Sequence, residues 1–446
     1  MFADLRTLLQ LTRGQGRRFA LAIAALAASI ALGHLVPLAC GAVVDVAAGS
    51  QAATPMARLA GRLAQAPWLA ALAIVALTAS SGLFAWMRDR LVARACEGLV
   101  RDLRNRLHDH LQRLPCRYFD GADTGDLVQR CSSDVETVRL FLSTQVTEIG
   151  RAILLVLLAV PIMAWVDLRM TAAALVLFPV IVVGAAMFFR RVKDRFLAAD
   201  EAEAAMTTVL QENLAGIRVV RAFARETHEC ERFGERAARF RDLQRNVVDL
   251  MGTYWSISDF ICGVQIALPL FLGASWVMRG ELSVGSLYAF MAWVALLIWP
   301  VRQMGRTLTD SGKAVVALHR ITEILEIPEE ADPVTPAAPP SPCLGRLELR
   351  GVRFAHGAGR PVLDGLDLVV EPGEVMAIVG PPGSGKSTLI ALLLRLHDPQ
   401  AGRLLLDGVD IATLPRRAVR ALVASVPQEP FLYSRTIEHN IRIGRM

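Results

Sequence analysis

The chain has 446 residues, 53% of them apolar, with 48 Lys and Arg against 42 Asp and Glu for a net charge of +6. Its mean hydropathy of +0.41 is too high for an ordinary water-soluble protein and points to a membrane protein. Basic residues interleave with acidic ones instead of forming one patch, which argues against nucleic acid as a partner; seven scattered cysteines without a CxxC pair suggest neither a disulfide framework nor a zinc site.

In chain order, Phe2 to Leu11 reads as an amphipathic helix lying on a membrane surface. Six apolar spans follow, at about Phe19–Val44, Pro67–Met87, Glu148–Val166, Met170–Phe189, Tyr254–Met278 and Ser286–Val301. Several reach the roughly 20 residues needed to cross a ~30 Å hydrocarbon core. Arg17 and Arg18 precede the first span in the manner of a signal peptide, but the apolar run continues past Cys40 to Val44, which argues against cleavage. Arginines crowd the stretches after the second span (Arg88 to Arg117) and after the fourth (Arg190 to Arg225). The other loops hold few: Arg58, Arg62, Arg169 and Arg279. The positive-inside rule then makes both long loops cytoplasmic, and an even number of spans puts both termini in the cytosol.

The two long loops read as helical extensions of the spans. Leu99, Leu103, Leu107 and Leu111 recur every four positions, and Ala202 to Phe240 mixes helix formers with charges. Pro115, Gly121 and Gly125 mark the turn of the first extension, and Gly216 that of the second. After the sixth span, Arg302 to Leu325 continues as helix. Six prolines between Ile327 and Pro342 then impose an extended linker. Strands are predicted around Leu347 to Phe354 and over Val362–Val370, with a short buried one, Val375–Val379, leading into Gly380.

Residues Gly380 to Ser387 carry the Gly-x-x-x-x-Gly-Lys-Ser pattern of a phosphate-binding loop, followed by the helical run Leu389 to Leu396. Chance would produce these four fixed positions in roughly 1% of chains of this length. Here the glycines (Gly380, Gly383, Gly385) let backbone N–H groups converge on phosphates at a helix N-terminus, with Ser384 and Thr388 in the same turn. Lys386 reaches the β/γ oxygens of ATP, and the Ser387 hydroxyl ligates Mg²⁺. Pro381 and Pro382 have no N–H, so the donors begin at Gly383.

Six spans with long helical extensions, a linker and a phosphate loop resemble the exporter branch of the ATP-binding cassette transporters. Tyr118-Phe119-Asp120 with Gly125-Asp126-Leu127 match the family's first coupling-helix segment. Glu212, Gly216, Ile217, Arg221, Ala222, Phe223 and Glu226 match the second. The cassette half matches at Pro361-Val362-Leu363, at the phosphate loop, at Gly402 to Asp410, at Val426 to Leu432 and at Thr436 to Gly444. The resemblance implies a membrane all-α six-helix transmembrane domain (1–325), a Pro-rich linker (326–345) and the N-terminal part of an α/β P-loop NTPase domain (346–446). It places Gln428 on the Q-loop glutamine that contacts Mg²⁺. It also places His356 where relatives usually stack an aromatic on adenine.

The same resemblance implies ATP-driven export of an amphiphilic or small-molecule substrate. The setting is a bacterial cytoplasmic membrane and its lipid, with a second half-transporter as homodimer or heterodimer partner. The family's Leu-Ser-Gly-Gly-Gln signature, second acidic motif and switch histidine are absent from residues 1–446. The chain by itself is therefore expected to bind ATP without appreciable turnover, and its partial sheet to expose an apolar edge. The alternative is a truncated, non-hydrolysing ATP-binding subunit or decoy that needs an intact partner. Candidates for the translocation path are His34, Arg151, Tyr254, Trp255, Phe260 and Trp276. For the aromatics near span ends interfacial belts are the stronger reading, and Arg151 fits a snorkelling residue.

Overall fold

The computed structural model describes residues 13–49, 67–357, 359–428 and 431–445. The surface helix expected over Phe2 to Leu11, the loop arginines Arg58 and Arg62, and Glu429 and Pro430 lie outside the described residues. Contacts divide the chain into two units, Met1–Asn105 with Arg130–Thr322, and Arg106–Gln129 with Glu323–Met446.

The first unit is helical. Among the described residues six helices are long and apolar enough to cross a membrane, and each contains one of the expected spans. Most do not stop where the apolar run stops. Pro67–Arg113, Phe178–Ala215, Glu226–Met278 and Val284–Glu326 continue without a break into their polar extensions. At 1.5 Å per residue the 53 residues of Glu226–Met278 reach about 80 Å, well beyond a ~30 Å hydrocarbon core. Gly252 stands where the apolar run begins and Pro269 within it, yet the helix continues through both. The expected turns do break the chain: Pro115 precedes the short helix Cys116–Gly121, and Gly216 separates Phe178–Ala215 from Ile217–Ala222.

Several polar groups in the apolar layer are bonded, as hydrocarbon demands, although the buried Nδ1 of His34 has no partner. The fourth span is interrupted between Leu168–Leu175 and Phe178–Ala215, just before Pro179. Proline offers no N–H and crowds the preceding turn. Gln265, fully buried on Glu226–Met278, repairs the gap: its carbonyl accepts from the Leu177 amide at 3.1 Å and its amide donates to the Ala174 carbonyl. Ser29 and Ser81 each donate to the other's carbonyl at 2.9 Å. Asp45, buried near the end of Gly16–Ala47, accepts from the Gly285 amide and the Ser283 hydroxyl, both at 2.7 Å, where Val284–Glu326 begins. A carboxylate there also meets the positive end of the helix dipole. Gly285 is required at that approach, since a Cβ would lie 1.9 Å from the Gly41 carbonyl oxygen. Around these bonds pack Trp293, Phe290, Leu297, Met163 and Met170.

The second unit carries a four-stranded antiparallel sheet in the order β2-β1-β3-β4, with β1 Leu347–Phe354, β2 Leu363–Val370, β3 Ala401–Leu406 and β4 Val409–Asp410. Two of the predicted strands are therefore present. The third is not: residues 375–379 form no strand, and Val375 and Val379 are almost fully exposed. A buried strand needs neighbours on both edges, and among the described residues none lies beside this segment. One face of the sheet packs on the Lys386–Leu393 and Arg416–Leu422 helices through Leu349, Val352, Leu389, Leu392, Leu404 and Val419.

The linker is extended, as six prolines require, yet it is strapped down by its acids. Glu330 pairs with Arg416 and Arg420, Asp332 accepts from the Arg416 amide at 2.9 Å, and the Glu330 amide donates to the Arg113 carbonyl at 2.8 Å.

Asp407 and Gly408, both at positive φ, turn β3 into β4 as a two-residue hairpin. The Asp407 carboxylate accepts from the amides of Arg346 (2.8 Å), Gly345 (3.2 Å) and Leu344 (2.8 Å), which hold its carboxyl below the usual range. Arg350 and Arg346 do the same for Glu348, pulling it down to about 2.

Two outcomes are expected. Gln265→Leu leaves the Leu177 amide and Ala174 carbonyl unpaired, and thermal unfolding of the detergent-solubilised protein should show a loss of about 1 kcal/mol. Depressed carboxylate pKa values add stability above the ordinary range near 4.5, and that stability is lost as pH falls toward about 2. Asp407, likewise held below its usual range, accepts from the amides of 344–346, so hydrogen exchange there should lose protection as pH falls below the ordinary Asp range, and Asp407→Asn should flatten the dependence.

Candidate functional site

Turn chemistry shapes the phosphate loop. The Ser384 amide donates to the Pro381 carbonyl at 3.2 Å, closing a β-turn in which Pro382 leads and Gly383, at φ 82°, follows. Proline followed by a residue at positive φ is the type II pattern. Gly385, at φ 92°, is the N-cap of the Lys386–Leu393 helix. A Cβ on Gly385 would lie 2.9 Å from Leu363 and 3.0 Å from Val362, and one on Gly380 would lie 2.7 Å from the Ser384 hydroxyl. The loop thus closes on itself only with glycine at these positions.

The helix begins where its first amides are wanted. Its first intrahelical bond runs from the Leu389 amide to the Gly385 carbonyl at 2.9 Å, so the N–H groups of Lys386, Ser387 and Thr388 precede the ladder. Such amides, with the helix dipole behind them, favour an anion. Leu389 and Leu392, both buried, fix the helix against the sheet. At its far end Arg395 donates to the Leu414 carbonyl and pairs with Asp398.

Lys386 folds over the loop. Its ammonium donates to the carbonyls of Gly380 at 2.7 Å and Pro381 at 2.9 Å and lies 3.3 Å from the Ser384 hydroxyl. This places a positive charge beside the helix N-terminus. Ser387 is exposed in the first helical turn, next to that charge. The donor set, the tight glycines and the lysine fit a nucleotide polyphosphate, and the Ser387 hydroxyl is of the type that ligates Mg²⁺.

The structure brings His356 to the same place. It follows β1 and packs edge-on against Phe354, ring centroids 5.0 Å apart, and its Nε2 lies 3.4 Å from the Thr388 hydroxyl. Its side chain is half exposed, which leaves ring surface for a base. Gln428 is exposed on the irregular segment after the Arg416–Leu422 helix. Two neighbours escaped the sequence reading as site residues: His397, 3.5 Å from Asp120 through its Nε2, and Asp120 itself. Asp120 was visible only as part of a coupling-helix motif, and His397 stands in no motif.

The residues considered for a translocation path separate. His34 is fully buried and bonds the Leu155 carbonyl at 3.1 Å, a helix-to-helix contact. Arg151 pairs with Glu148, Trp255 stacks on the Arg302 guanidinium at 4.2 Å, and Phe260 is exposed. Trp276 packs against the helical core. Tyr254 stacks flat on Phe188 at 3.9 Å and lines an apolar cavity of about 220 Å³ with Ile181, Ile257 and Ile261.

Comparison with known proteins agrees with this geometry. The family model for the ABC transporter transmembrane region matches residues 19–301, and the ABC transporter model matches 363–444. A fatty acid ABC transporter ATP-binding/permease protein of Mycobacterium bovis is 30% identical over 371 residues, covering 83% of this chain and 58% of the relative. An ATP-dependent lipid A-core flippase of Pseudomonas aeruginosa is 31% identical over 389 residues, 85% of this chain and 64% of the relative. The chain thus spans about three fifths of the length of the curated relatives it matches. With six helices able to span a membrane among the described residues and a phosphate loop that fits nucleotide, the chain belongs to the ABC transporter family.

Proposed function

We propose that this chain supplies one half of a dimeric exporter in a bacterial cytoplasmic membrane, in which ATP binding drives an inward-to-outward switch that carries an amphiphilic substrate out of the cytosol. The observation that carries the reading is the phosphate loop, with Gly385 as left-handed N-cap and Lys386 held over it. Within that reading, residues 1–325 serve as the membrane domain, 326–345 as linker and 346–446 as the cassette segment.

The residues divide the work. Amides of Gly383 and from Gly385 onward receive the phosphates with Lys386, the Ser384 amide being held by the Pro381 carbonyl and its hydroxyl lying beside Lys386, while Thr388 steadies His356 for contact with adenine. Gly380 gives the loop room to close. Ser387 and Gln428 supply oxygen ligands to Mg²⁺, which neutralises phosphate charge when bound. For cargo, the relatives' names favour a lipid or other amphiphile. The apolar cavity beside Tyr254 and Phe188 suits an acyl or aromatic group more than a sugar or an ion.

Lys386→Ala in the purified protein should weaken binding of a fluorescent ATP analogue at least about tenfold with little change in melting temperature. Gly385→Ala should do the same by straining the cap. Unchanged affinity in both variants would remove the nucleotide site from this loop. The proposed topology has its own check. Cys230 and Cys343 are exposed and fall on the cytosolic side. A membrane-impermeant maleimide should label them in inverted vesicles and not in intact spheroplasts; the opposite pattern would reverse the orientation.

A further inference from the structure

Asp120, His356 and His397 each direct one ligand atom to a common point: a carboxylate oxygen and two imidazole nitrogens, all within 4.8 Å of one another. Asp120 Oδ2 lies 3.5 Å from His397 Nε2 and 4.0 Å from His356 Nδ1. Among the described residues no other group of three or more His, Cys, Asp or Glu comes this close. We propose that these three side chains form a binding site for a divalent transition-metal ion of the Zn²⁺ type, tying the Cys116–Gly121 segment to β1 and the phosphate-loop helix.

The chemistry fits the ion. Two imidazoles and one carboxylate are borderline ligands that favour Zn²⁺ over Mg²⁺ or Ca²⁺, which prefer all-oxygen sites. Tetrahedral coordination with bonds of about 2.0–2.1 Å sets ligand atoms roughly 3.3 Å apart, so the group has to draw in by at most about 1.5 Å. The freedom to do so is in the right places. Asp120 and His356 are about half exposed and can swing, whereas His397, 10% exposed and packed against Phe354, is the fixed member. Three protein ligands leave a fourth position facing solvent, which also gives the ion a way in.

The outer shell is present as well. With Nδ1 of His356 on the metal, its proton resides on Nε2, which faces the Thr388 hydroxyl at 3.4 Å. Metal ligation commonly fixes a histidine tautomer through a partner of this kind. Thr388 stands in the first turn of the Lys386–Leu393 helix, so an occupied site would hold His356 away from other work. The metal site stands independently of nucleotide binding; only its effect on nucleotide rests on the function proposed above.

The test uses the full chain in detergent or nanodiscs, stripped of metal, with its free cysteines alkylated and no nucleotide present. Titration with Zn²⁺ against a chromogenic chelator should show one ion per chain. Asp120→Asn and His397→Gln should each weaken it at least about tenfold, while His228→Gln, at an exposed histidine elsewhere, should leave it unchanged. Absence of stoichiometric binding, or an isotherm unaltered by both ligand variants, overturns the site and leaves an Asp–His ion pair. If His397→Gln is not recovered folded, as judged by melting, Asp120→Asn at its exposed position decides alone. Should Zn²⁺ bind, saturating it should weaken ATP binding and ATP should weaken Zn²⁺ by the same factor. Zn²⁺ binding without that coupling would retain the metal site and place adenine away from His356.

Discussion

Everything in the helical unit depends on one constraint: in a hydrocarbon layer no backbone or side-chain polar group is left to find water. Continuous helices meet it by internal bonding, and three of the exceptions are met by side chains from another helix, while the Nδ1 of His34 keeps no partner. Gln265 substitutes for the ladder where Pro179 interrupts the fourth span. Ser29 and Ser81 exchange bonds between two spans, and His34 reaches the Leu155 carbonyl. The same few polar residues that look costly in a hydropathy profile therefore fix which helix lies beside which. Apolar packing around Trp293 and Phe290 fills the space between them but carries less directional information.

Sequence alone revealed the spans well, because an apolar run of sufficient length has little else to do. It revealed their extensions as well. Leucines recurring every four positions to Leu111 and the helix formers of Ala202 to Phe240 carry helix past the apolar runs, and the helices run to Arg113 and start at Glu226, since hydrogen bonding does not stop where apolarity does. In the second unit β1 and β2 were legible from their apolar alternation. Val375 to Val379 has the same composition and forms no strand, because a strand's existence is settled by its neighbours as well as its residues. Strapping of the linker by Glu330 and Asp332 was hidden too, since its partners Arg416 and Arg420 are remote in the chain.

The site shows the same division. Gly380 to Thr388 was legible because the chemistry is local: two tight turns and a helix start require those residues in that order. The structure adds how it is kept, with Leu363 and Val362 pressed so close to Gly385 that a methyl group would not fit. His356 was identifiable by position. His397 was not, because the contact that gives it meaning, with Asp120, is made only once the chain has folded.

The clasp around Asp45 has a kinematic consequence. A buried carboxylate bonded to Ser283 and to the Gly285 amide, with the two backbones at glycine-only distance from Gly41, joins the first and last spanning helices at that end of the bundle. Pulling them apart there would leave the buried Asp45 side chain without its donors, so the two helices translate and tilt as one lever. Flexing of this unit is then borne by seams elsewhere, among which the interrupted fourth span, bridged by a single glutamine, is the natural pivot.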